Sequence, residues 1–158
     1  MTVLEKLNTL LLMSMDLKSR VRVDLIKARK GRKRMETIVL SSLLSEIRNK
    51  EIELGRDLDD QDVTKVITKA VKQRRESSRL MLSGGRPELA DKELEELTLL
   101  QGYLPTGLSE SEIRSVVQGA INEGFDQMGA LMAHVMPMLQ GRVDGSEVNR
   151  IVREELKL

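Results

Sequence analysis

Residues 18–34 read KSRVRVDLIKARKGRKR, in which Lys18, Arg20, Arg22, Lys27, Arg29, Lys30, Arg32, Lys33 and Arg34 face one acid, Asp24. The chemistry such a run offers is neutralisation of a polyanion, because each ammonium or guanidinium that meets a phosphate releases a condensed counterion. A solvated helix face is the plainer alternative, and the density of charge keeps both readings open. A second set follows at Lys65, Lys69, Lys72, Glu76 and Arg79, spaced i, i+4, i+7, i+11 and i+14, so that four cations share one helix face, with Arg75 nearby. Over the first 80 residues 19 Lys+Arg stand against 12 Asp+Glu, and over the rest 7 stand against 13. The net charge of +1 therefore hides a basic half and an acidic half.

Other chemistries find little to stand on. With no cysteine there is no disulfide framework, thiolate metal site or cysteine nucleophile. His134 is the single histidine and has no second ligand at metal spacing, which makes it a surface or helix-edge residue. The acidic run DLDDQD at 57–62 resembles the start of a calcium loop, but the sixth and twelfth positions are Asp62 and Thr68 where glycine and glutamate are needed. Ser83-Gly84-Gly85-Arg86 could cradle a phosphate at a helix start, yet no Walker lysine and hydroxyl follow, and a helix hairpin is the better reading. No nucleophile elbow or HExxH motif occurs. We expect no cofactor, no metal and no enzyme activity. Phe125 and Tyr103 are too few to build a stacking platform, so any nucleic acid would be held by charge and shape.

The elements that must position these residues are helical throughout. Leu17, Val21, Leu25 and Ala28 form a stripe ending near Gly31, and Met35, Ile38, Val39, Leu43 and Ile47 form a second ending before Gly55. Asp59 is placed to cap a third helix, whose seam runs through Val63, Val66, Ile67, Ala70 and Val71 to Arg74, Ser78 and Met81. Arg74 stands where an apolar residue is due. The glycines at 84 and 85 and Pro87 turn the chain into an acidic fourth helix with Leu94, Leu97 and Leu100 on its buried side, so Arg74 should meet Glu93 or Glu96. Tyr103-Leu104-Pro105-Thr106-Gly107 breaks the pattern, and Ser109 with Glu112 forms a capping box. Three short helices follow, over 109–123, 127–138 and 144–155. Met128, Met132 and Met136 make a stripe read as core filling, with an adaptable docking face as the alternative.

The expected fold is thus all-α, an N-terminal helical subdomain of about four helices over 16–104 and a small three-helix bundle over 108–158, preceded by a leader helix or extension over 1–15. The early apolar run Leu10–Met13 is too short for a signal peptide or a span, and we expect a cytoplasmic chain with no membrane partner.

Several strings occur together in order: Ile47-Arg48-Asn49-Lys50-Glu51-Ile52-Glu53, Gly55-Arg56-Asp57-Leu58, Lys72-Gln73-Arg74-Arg75-Glu76-Ser77, Gly84-Gly85-Arg86, Tyr103-Leu104-Pro105, Met128-Gly129, Met136-Pro137 and Gly141-Arg142-Val143-Asp144-Gly145. The combination resembles the YqeY-like family from about Asp16 to Leu156, its last part being similar to the GatB/YqeY motif. His134 and Leu82 depart from the family pattern. The resemblance implies two helical parts, the second similar to the tRNA-contacting tail of the B subunit of the glutamine-dependent aminoacyl-tRNA amidotransferase. The carbon-nitrogen ligase label, with glutamine as amido donor, belongs to domains this sequence does not contain, and no catalytic residue carries over. Two functional expectations remain: a non-catalytic module binding tRNA or another structured RNA through the fourteen basic residues named above, or an adaptor docking on an amidotransferase or aminoacyl-tRNA synthetase.

Overall fold

The computed structural model describes residues 2–139 and 142–158, with the backbone alone at 12 and 13. All regular structure among them is helical: α1 (Val3–Ser14), α2 (Leu17–Lys30), α3 (Arg34–Leu54), α4 (Asp60–Ser83), α5 (Pro87–Gln101), α6 (Glu110–Asn122), α7 (Met128–Leu139) and α8 (Gly145–Leu156). The chain divides into two compact units, one ending at Tyr103 and the other beginning at Leu104.

In the first unit α2 and α3 form one hairpin and α4 and α5 another, the latter packed over most of its length. The buried residues of α2 are Leu17, Val21, Leu25 and Ala28, as the spacing requires. On α3 the buried face is Val39, Leu40, Leu43, Ile47 and Glu51. Ile38, expected in that stripe, is 57% exposed, because the face runs through Leu40 and Leu43 and leaves position 38 on the far side of the helix. The α4 seam buries Val63, Ile67, Ala70, Val71 and Ser78. Opposite it α5 buries Ala90, Leu97 and Leu100, and the small side chains at 70, 78 and 90 let the two backbones approach closely. Leu94, expected inside, is 42% exposed; half-buried Glu93 and Glu96 take up the seam on that side, where Arg74 comes across from α4.

Local signals decide the ends. Asp59 caps α4 by accepting from the Asp62 amide at 2.8 Å, and Asp16 caps α2 by accepting from the Ser19 amide at 2.9 Å. Between α4 and α5, Gly85 has φ +72°, and the amides of Gly84, Gly85 and Arg86 donate back to Leu80, Leu82 and Met81 carbonyls. These donors finish the helix C-terminus and are not presented to an anion, which removes the phosphate-cradle alternative.

Arg74 Nε donates to Glu96 Oε2 at 3.2 Å with both side chains 16% exposed, and a terminal guanidinium nitrogen reaches the Ala70 carbonyl at 3.4 Å. Of the two acids expected to meet it, Glu96 is the partner. The contact is single rather than bidentate and opens partly to water, so Arg74→Ala should cost about 2 kcal/mol, in the range of a hydrogen bond between charged groups. Arg79→Ala removes an exposed pair with Glu76 on the same helix and should leave the denaturation midpoint unmoved. Chemical denaturation of both variants checks this, and equal midpoints would refute it.

The second unit is a separate core of Ile113, Val117, Ala120, Leu131, Val135, Leu139, Val148, Ile151 and Val152. Ser109 and Glu112 form the capping box of α6, and Asp144 caps α8. Met128, Met132 and Met136 pack against this core, as core-filling residues do. His134 stacks on Phe125 with ring centroids 4.0 Å apart at the helix edge. Arg114 bridges α6 to α8 through Glu154 at 2.8 Å and Glu155 at 2.6 Å while holding Glu110 at 2.7 Å on its own helix, and Arg150 joins Glu110 and Glu154. These pairings hold the carboxyls of Glu110, Glu154 and Glu155 below their ordinary range, chiefly through hydrogen bonds from Arg114.

Candidate nucleic-acid interface

The basic residues of the first unit divide into those the fold uses and those it leaves on the surface. Lys18 is used. Its ammonium lies against buried Glu51 near the end of α3, and the same carboxylate oxygen accepts from the Leu58 amide at 3.3 Å. The Lys18 hydrogen bond, the largest influence, holds the Glu51 carboxyl below its ordinary range against the opposing effect of burial. Glu51 Oε2 is buried with no hydrogen-bond partner among the described residues, which leaves Lys18 as its ion-pair partner there. The sequence offers a signal for this pair that spacing alone does not exploit: Glu51 stands four residues after Ile47 on an apolar face, as Arg74 does on its own helix.

Arg20 is also engaged. Its guanidinium lies over the Tyr103 ring, 5.6 Å from the centroid, within cation–π range. Tyr103 is buried and donates its hydroxyl to Asp24 Oδ2 at 2.6 Å. Burial first, then that carboxylate, pushes the phenol well above its ordinary value and keeps it protonated. Asp24, the one acid among the nine cations of segment 18–34, thus fastens Tyr103 just after α5 while its side chain stays 35% exposed, with Lys27 a loose neighbour at 3.9 Å. Tyr103 reads from sequence only as the start of a break; its role here depends on a partner 79 residues away.

The remainder face solvent. Arg22, Arg29, Lys30, Arg32 and Arg34 are exposed, and none makes an ion pair among the described residues. Arg32 adopts a left-handed backbone with φ 54°, and the Lys33 amide donates to the Ala28 carbonyl at 2.9 Å to close the turn. A non-glycine side chain pays about 1 kcal/mol there, so this turn keeps a guanidinium where glycine would be easier. Lys33 pairs with Glu36 at 3.1 Å, within the first turn of α3. On α4, Lys69, Lys72 and Arg75 are exposed without an ion pair among the described residues, Lys65 sits 3.9 Å from Asp62, and Arg79 is held by Glu76 at 2.6 Å. Of the fourteen basic residues singled out by sequence, Lys18 is half-buried against Glu51, Arg20 is committed to Tyr103, and eight stay exposed without an ion pair among the described residues. No group of histidines and acids suited to hold a metal ion occurs among the described residues.

A family model described as Yqey-like protein matches residues 18–156. The chain belongs to the YqeY-like family. The matched region opens at Lys18 and leaves α1 outside. Several relatives bear the name "Altered inheritance of mitochondria protein 41, mitochondrial". The one from Clavispora lusitaniae is 36% identical over 108 residues, covering 66% of this chain and 62% of that protein. The one from Pyrenophora tritici-repentis is 29% identical over 142 residues, covering 85% and 78%. This YqeY-like chain thus spans about three fifths of the length of the first of them. A third similarity is to the E subunit of the glutamyl-tRNA(Gln) amidotransferase of Methanocaldococcus jannaschii, 35% identical over 78 residues, which is 44% of this chain and 12% of that protein. No helix among the described residues is long and apolar enough to cross a membrane.

Proposed function

We propose that this YqeY-like protein binds tRNA or a similarly folded RNA through the outer face of α2 and the turn into α3, assisted by α4. The observation that carries the reading is that Asp24, the one acid of the segment, accepts from Tyr103 and has Lys27 as its near cation, which leaves Arg22, Arg29, Lys30, Arg32 and Arg34 exposed and without an ion pair among the described residues. Unpaired guanidinium and ammonium groups on a rigid helix and its closing turn suit phosphate oxygens. The partial likeness to a protein named for a tRNA amidotransferase supports the choice of tRNA. Organellar and cytoplasmic tRNAs are equally polyanionic, so the reading holds in either compartment. The adaptor alternative rests on a methionine face, and those methionines are packed against the core of the second unit.

Titration of unmodified tRNA at several salt concentrations tests the proposal. With about four phosphates neutralised, log Kobs should fall with log salt at a slope near −3. Exchange of one tRNA for another should change affinity little, because stacking residues that read unpaired bases are missing. Absence of a complex at ~50 mM salt would overturn the reading.

A further inference from the structure

The RNA reading leaves α1 unexplained. Its start is well specified: Thr2 and Glu5 form a capping box, with the Thr2 amide donating to Glu5 Oε2 at 2.6 Å. Val3, Leu4, Leu7, Leu10 and Leu11, at i, i+1, i+4, i+7 and i+8, fall on one face, and each is at least 60% exposed. The helix packs extensively against no other described helix. Twelve residues make a marginal helix in water without packing, so the stripe needs a cover. Leucine side chains gain nothing from phosphates. A second copy is a poor cover, since one face of three helical turns buries far less than the roughly 800 Å² per partner of a stable interface.

What adjoins the stripe in the chain is charge. Immediately after α1, the outer face of α2 carries Arg22, Ile26, Arg29 and Lys30 at i, i+4, i+7 and i+8, with Ile26 53% exposed among the cations. We propose that α1 and this face together bind the surface of an anionic lipid bilayer, α1 lying in the interface with its leucines at the acyl boundary and the α2 cations on headgroup phosphates. An apolar helix and a basic patch are the two signals that reversible peripheral attachment requires, each too weak alone. No spanning segment is needed, and the expectation of no membrane partner rests only on the want of one. Lipid and RNA would then compete for the α2 cations.

The test is flotation of the full chain with vesicles of phosphatidylcholine alone or with about 30 mol% phosphatidylserine, enough to give a strong negative surface potential. Flotation is expected with the anionic vesicles at low salt and not with the neutral ones. The double variant Leu7→Glu, Leu10→Glu should bind about tenfold less well. It should keep the wild-type thermal midpoint and tRNA titration, because α1 supports no other helix; this separates failure of the lipid proposal from failure of the RNA reading. Three results would overturn the proposal: no flotation with anionic vesicles, flotation unchanged in the double variant, or a dimer by light scattering that the double variant dissociates while vesicles bind neither form.

Discussion

Lys18→Ala is expected to lower the thermal midpoint of the first unit by on the order of 10 °C at neutral pH, the largest stability loss among substitutions of the fourteen basic residues. The cause is less the pair itself than what its loss leaves behind. Glu51 is buried, its Oε2 has no hydrogen-bond partner among the described residues, and without the ammonium a charge stays in a dry place with only the Leu58 amide on its other oxygen. The pH dependence follows from the direction of the shift. In the intact protein the Glu51 carboxyl lies below its ordinary value, chiefly because of Lys18. Its contribution is therefore full above the unfolded carboxylate value of about 4.3 and is lost as pH falls through the lower folded value. In the variant the carboxyl keeps only the Leu58 amide against the cost of burial, which disfavours its charged form, so acid relieves it. The gap between the two proteins should narrow between pH 7 and about pH 4, and the double variant Lys18→Met, Glu51→Leu should recover most of the midpoint. Calorimetry at the two pH values decides the matter: a gap of constant size would mean that Lys18 acts through packing alone.

This pair also marks where reading from sequence stops. Helical periodicity identifies the stripes on α2 and α4 because their faces follow from spacing within one helix, and Arg74 as an intruder in such a stripe points to an acid on the next helix. Lys18 resembles one more surface cation among nine because its partner lies 33 residues away, on the far end of another helix. The same holds for Asp24. Within its own segment it counts as one negative charge offsetting a neighbour, whereas in the fold it accepts from Tyr103, and most of the cations around it stay unpaired among the described residues. The two misplaced apolar residues, Ile38 and Leu94, fail for a related reason: each fits a plausible apolar spacing, yet which face is buried depends on the packing partner, which leaves Ile38 on the far side of α3 and Leu94 at the edge of the α5 seam. For α1 the period is legible and the partner is not, since nothing within the described chain covers it.

Removing the charge of three side chains that the fold does not use should separate binding from stability. Arg29, Lys30 and Arg34 are exposed, make no ion pair among the described residues, and flank the turn closed by Arg32. Arg29 and Lys30 stand in the last turn of α2, where a cation favours the helix dipole, and Arg34 opens α3, where it opposes it. Glutamine at all three positions therefore leaves a near balance of small helix-end effects, and the midpoint should hardly move. Lys33 is left alone because it pairs with Glu36. If the tRNA phosphates sit on this turn, each lost contact should flatten the log–log salt slope by about 0.75 of a unit, taking it from near −3 to roughly −0.75 for the one contact that remains. At ~50 mM salt the triple variant should bind about 100-fold more weakly, roughly 1 kcal/mol per contact. Substituting Lys69, Lys72 and Arg75 in the same way should cost less, since α4 only assists. The reverse order, with the α4 triple more damaging, would move the principal contact to α4. Equal, small losses from both would leave only the diffuse attraction of a basic half for any polyanion, and the assignment of the α2–α3 turn would fall.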